Sequence, residues 1–107
     1  MKAHKGLSRQ DVLRRGPAKI ALMAASEFSR AASRKHDQEN VRACFRRARE
    51  LLGILETASL PSAAARRLRP LYRLASERLL FSDQRLDPRT LSRFSLEMAD
   101  ELERAFR

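Results

Sequence analysis

Residues 39–56, ENVRACFRRARELLGILE, decide the fold. Val41, Cys44, Phe45, Ala48, Leu52 and Leu55 recur at steps of three and four. That spacing lines one side of an α-helix with apolar groups. Arg42, Arg46, Arg47, Arg49 and Glu50 fall largely on the other side. An isolated helix of this length is marginal in water, and its apolar stripe needs covering. The remainder of the chain must supply the cover.

Working back from this stretch, Asp37 is the expected N-cap, its carboxylate accepting orphan N–H groups. Ser33 to Gln38 reads as a turn. Before it, Gly16-Pro17 is a helix-start signal, because proline is tolerated where its missing N–H is not needed. A first helix is expected from Pro17 to Arg34, with Ile20, Met23, Ala24, Phe28 and Ala31 inward. Residues 1–15 show no sustained period and read as a mobile N-terminal arm.

Working forward, Thr57 to Pro61 is a connection in which Ser59 can cap and Pro61 can open the next helix. The third helix carries Leu68, Leu71, Tyr72, Ala75 and Leu79 on one face. Pro70 interrupts it, so a kink or break is expected near Arg67 to Arg69, with the stronger helix from Pro70 to Phe81. Ser82 to Asp87 is the third turn, and Asp87-Pro88 starts a fourth helix. That helix aligns Leu91, Phe94, Met98, Leu102 and Ala105. Four amphipathic helices with short links close most simply as an all-α, antiparallel up-down-up-down four-helix bundle over residues 16–107.

Composition agrees. The 107 residues are 43% hydrophobic, with three Gly, four Pro and no Trp. Ala, Leu and Arg dominate, which is helical material. Cys44 is the one cysteine, so no internal disulfide forms. No apolar run approaches a membrane span. The basic start MKAHKGLSRQDVLRRG lacks an apolar signal core, so a cytoplasmic protein is expected.

The net charge of +10 suggests an acidic partner, nucleic acid among them. Its distribution weakens the nucleic-acid reading, because the charge is spread over several elements: residues 1–36 hold nine basic and two acidic side chains, 37–57 four and four, 58–82 five and one, and 83–107 five and six. Catalytic chemistry is not evident, and no cofactor is expected. His4 and His36 lack metal-ligand company, and Cys44 sits on the core stripe. The glycines make no phosphate loop. Glu97, Asp100, Glu101 and Glu103 are expected to balance nearby arginines rather than bind metal.

Some apolar residues miss the inward stripes. Leu96 points nearly opposite Leu91, Met98 and Leu102, and Leu22 points away from the inward face of the first helix. Ile54 lies well off the stripe of the second helix. Leu74 and Phe81 share a second face of the third helix, flanked by Leu80. Ile54, Leu74, Leu80, Phe81 and Leu96 are therefore candidates for a partner-binding groove, with Arg66, Arg67, Arg69 and Arg73 attracting an acidic client.

The order and spacing of these elements resemble the FliS-type flagellin export chaperones. The likeness runs from Pro17 to Phe106 and is best from Val41 to Phe81. It rests on VRACFRRARELLGILE, on RLRPLYRLASERLL with its Leu68, Leu71-Tyr72 step and later Leu79, and on LDPRTLSRFSLEMADELERAF. Pro17-Ala18-Lys19-Ile20 is similar to the Pro-x-Lys-Leu opening of that family. Where the family usually carries Leu-Tyr-Asp-Gly, this chain has Ala24, Ala25, Ser26 and Glu27. The resemblance implies a cytoplasmic, non-enzymatic chaperone. Such a protein holds the disordered C-terminal segment of flagellin, or a related secreted subunit, before type III export. It implies an export-gate component as a further partner. The competing expectations are a small basic nucleic-acid binder and a self-associating scaffold.

Overall fold

The computed structural model describes residues 16–81 and 87–105, the side chain of Phe81 excepted. The expected arm over 1–15, most of the third turn and Phe106 lie outside the described residues. Four helices fill the described residues: α1 (Pro17–Ser33), α2 (Gln38–Glu56), α3 (Ser62–Phe81) and α4 (Pro88–Ala105). Each packs on its neighbours in sequence, and α1 also packs on α4. The diagonal pairs α1–α3 and α2–α4 make no close backbone approach. The end of α1 and the start of α2 meet the end of α3 and the start of α4 at one pole. This is the up-down-up-down four-helix bundle.

The helix starts follow their local chemistry. Gly16 has a φ of 96°, which only glycine adopts without strain, and Pro17 opens α1 behind it. The Gly16 carbonyl accepts from Lys19 and Ile20. Asp37 caps α2, its carboxylate accepting the Asn40 N–H at 3.2 Å. Asp87 accepts the Arg89 N–H at 3.0 Å at the start of α4.

The core forms where the four stripes converge. Ile20, Phe28, Phe45, Leu52, Leu55, Leu71, Leu91, Met98 and Leu102 are fully buried there. Phe28 and Phe45 meet edge-to-face at 5.5 Å, a pairing worth about 1 kcal/mol beyond its buried area. Every residue of the α2 stripe expected inward is buried. The α1–α4 seam is lined by Ala21, Ala24, Ala25, Ser95 and Ala99, so these two helices approach closely. The Ser92 hydroxyl donates to the Ala25 carbonyl across that seam at 3.0 Å.

Three expectations are corrected. No break occurs at Pro70, because α3 runs unbroken from Ser62 to Phe81. The proline ring is exposed, and Leu68, Leu71 and Ala75 are buried on the opposite side. Their packing outweighs the roughly 3 kcal/mol of an interior proline. Ser59 does not cap α3, since Pro61 stands at the boundary and its carbonyl accepts from Ala65. Met23, Phe94 and Ala105 are not core residues: Met23 is half-buried, and Phe94 (38% exposed) and Ala105 sit at the edge. α1 is covered by two helices at once, so Ala21 and Ala25 take inward places that a single narrow stripe assigns to Met23. Phe94 lies toward α3, and the thin α3–α4 contact leaves its ring at the rim.

Candidate partner-binding faces

The arginines of α2 and α3 are the most concentrated chemical feature of the surface. Arg42, Arg46 and Arg49 project on the α3 side of α2 and outward. Arg66, Arg69 and Arg73 follow one another at steps of three and four along the outward side of α3, ending at Leu80, which is 75% exposed. Two of these side chains also tie the helices together. The Arg42 guanidinium donates to the Leu79 carbonyl at 3.0 Å, satisfying an acceptor near the α3 C-terminus. Arg49 donates to the Ser76 hydroxyl at 2.9 Å and stacks over the Tyr72 ring at 5.5 Å. Gly53 packs beneath that ring, where a Cβ would lie 3.4 Å from Tyr72 Cε1, in ordinary contact. Arg73 is loosely paired with Glu77 at 3.9 Å. Among the described residues, Arg46, Arg66 and Arg69 have no acidic partner.

The sequence candidates are distributed rather than gathered. Ile54 lies two turns from Arg47, which reaches Glu27 of α1, so Ile54 is half-buried at the α1–α2 seam. Leu74 lies two turns from Arg67, which reaches α4, so Leu74 is half-buried at the α3–α4 seam. Leu80 stands on the outer side of α3. Leu96 is 48% exposed on the outer side of α4 toward α1. Because α2 and α4 lie on different flanks of α1 with no close backbone approach, Ile54 and Leu96 share no groove. The Phe81 side chain lies outside the described residues. Arg66 and Arg73 are exposed, whereas Arg67 is engaged, donating to Glu101 at 2.8 Å and Glu97 at 3.1 Å. The hydrogen bond to Glu101 raises its already high pKa further. Sequence reasoning named Arg66, Arg69 and Arg73 and passed over Arg42, Arg46 and Arg49 as parts of this face. Their three-and-four spacing on outward sides was the available signal.

Among the described residues, the interior holds one charged cluster. Glu27, 8% exposed, accepts from Arg47 at 3.1 Å and from Arg30 at 3.2 Å. It stands within the stretch where the resembled family carries Leu-Tyr-Asp-Gly. Arg47 also donates to the Cys44 sulfur at 3.6 Å. Burial, and then the Glu27 carboxylate, push the Cys44 thiol up, so it stays protonated and unreactive at neutral pH. The arrangement locks α1 to α2 and offers no nucleophile to solvent. The acidic residues of α4 pair as expected where they are described: Glu97 and Glu101 with Arg67, and Asp100 with Arg104 at 2.6 Å. Among the described residues, no group of three His, Cys, Asp or Glu side chains is placed to hold a metal ion. A cleft of about 350 Å³ at one pole is lined by Lys35, His36, Gln38, Arg78 and Asp87 among others. No described helix is long and apolar enough to cross a membrane.

The fold and surface define an all-α bundle with one strongly cationic face. Comparison with protein-family models, curated proteins and solved structures finds no match for the chain.

Proposed function

We propose that this protein is a non-catalytic helical chaperone that holds an acidic, amphipathic segment of a secreted client, of the flagellin C-terminal kind, in the cytoplasm before export. The observation that carries this reading is the outward Arg66-Arg69-Arg73 row on α3 ending at exposed Leu80. A disordered segment laid along α3 would set its carboxylates on the arginines and an apolar side chain on Leu80. Ordering such a segment costs free energy, which burial and charge pairing must exceed. Tyr72 and the Arg49 stack give the α2–α3 face a rigid floor. Half-buried Leu74 and Ile54 stand at neighbouring seams, where a longer client could continue.

The same arginines favour a second reading, a small nucleic-acid binder, because a row of exposed guanidiniums also matches phosphates. One titration separates the two. A flagellin C-terminal peptide and a DNA duplex are each titrated at about 50 and 200 mM salt. Peptide binding that survives the higher salt, and that weakens at least tenfold in Leu80→Asp, supports the chaperone. DNA binding that falls steeply with salt supports the second reading. Absence of binding to both overturns the assignment of this face.

A further inference from the structure

The outer side of α4 carries an ordered charge pattern that the cationic face does not use. Arg89, Arg93, Leu96, Asp100 and Glu103 are all exposed. They recur at steps of four, three, four and three, so they form one stripe along the helix. The stripe is basic at its N-terminal half, acidic at its C-terminal half, and apolar at its centre. Beside it lies α1. The Ser92–Ala25 hydrogen bond fixes the register of the two antiparallel helices. One turn on from Ser92 is Leu96, and about one turn back from Ala25 is Leu22. Leu22 is 43% exposed and Leu96 48% exposed, at one level on the α1–α4 face. Ser26, Ser29 and Ser33 continue the outward side of α1 next to α4 with short side chains that let a neighbour approach, and exposed Arg30 lies beyond them toward α2.

We infer that this α1–α4 face binds a second copy of the chain, with the two α4 helices antiparallel about a two-fold axis at Leu96. A stripe of opposite charges around an apolar centre is complementary to itself when reversed, which is what an isologous contact requires. Arg89, seven residues before Leu96, meets Glu103 of the other protomer, seven after. Arg93, three before, meets Asp100, four after. Arg93 leans over its own Phe94 ring at 6.0 Å, and Arg104 of the same chain already holds one oxygen of Asp100. The intermolecular pairs add to these contacts. With α4 about 27 Å long and α1 8–10 Å from it, each protomer offers about 250 Å² between the two helix axes, and a few hundred Å² with the flanking side chains. That falls below the about 800 Å² per partner of a standard interface, so the dimer is weak and reversible. This inference uses a different face from the proposed client site and stands or falls separately.

Sedimentation equilibrium of the full chain from about 1 to 500 µM tests it. The expected result is a monomer–dimer equilibrium, weakened about tenfold in Arg93→Glu and in Asp100→Arg. The combined variant R93E/D100R restores complementarity and should recover dimerisation to near the starting affinity. Leu96→Asp, at an exposed site outside the core, should leave a helical monomer by circular dichroism. A wild-type chain monomeric throughout overturns the inference, as does a dimer that Leu96→Asp leaves intact. Failure of the combined variant to recover also overturns it.

Discussion

Ser95 is fully buried in the middle of α4, and its hydroxyl has no hydrogen-bond partner. A buried polar group left unpaired is costly, so its presence is tolerated for size: only a small side chain fits the close α1–α4 seam. Ser95→Ala keeps that size and removes the stranded hydroxyl. Chemical denaturation should show the variant more stable by about 1 kcal/mol, and a loss of stability would mean the hydroxyl finds a partner. Glu27 shows the opposite solution, with two guanidiniums satisfying one buried carboxylate. Neither residue could be placed from sequence alone. Ser95 reads as one more polar position of a surface helix, and Glu27 as an ordinary exposed acid, because burial on a helix covered by two neighbours extends past the apolar stripe.

At the scale of elements, the start signals were the most legible part of the chain. Gly16-Pro17, Asp37 and Asp87-Pro88 each act within four residues, so no knowledge of the fold is needed to read them. Asp37 bonds the Asn40 side-chain amide at 2.7 Å as well as its backbone N–H, and these two bonds hold its carboxyl below the usual range. The native state therefore binds that proton less tightly than the unfolded chain. Its contribution is present above the unfolded pKa, about 3.9, and is lost as pH falls through the lower folded value. Asp37→Ala should lower the thermal midpoint by a few degrees at pH 7. The gap to wild type should close at pH 2–3, and a pH-independent gap would contradict the cap. The break that Pro70 signals is absent for the converse reason: a proline marks a break locally, while the packing of Leu68, Leu71 and Ala75 that holds α3 together is tertiary.

For the whole molecule, the four seams are unequal. α1 buries seven residues between α2 and α4, whereas the buried apolar set of α3 is Ala64, Leu68, Leu71 and Ala75. The α3–α4 seam is the thinnest and leans on the exposed pairs of Arg67 with Glu97 and Glu101. Native-state hydrogen exchange should find the slowest amides in α1 and α2 and faster ones in α3, the helix proposed to meet the client. Protection of α3 equal to that of α1 would refute this ranking. The bundle was legible because each apolar stripe repeats over several turns. The gathering of candidate residues into one groove was not, because the direction of Ile54 or Leu96 depends on which neighbour covers which side. The lone sulfhydryl adds a practical consequence. Cys44 is fully enclosed at the α1–α2 junction, so a thiol-modifying dye can reach it only through an opening of that junction. The native sequence thus carries its own internal clock, and the rate of dye uptake times how often that junction comes apart.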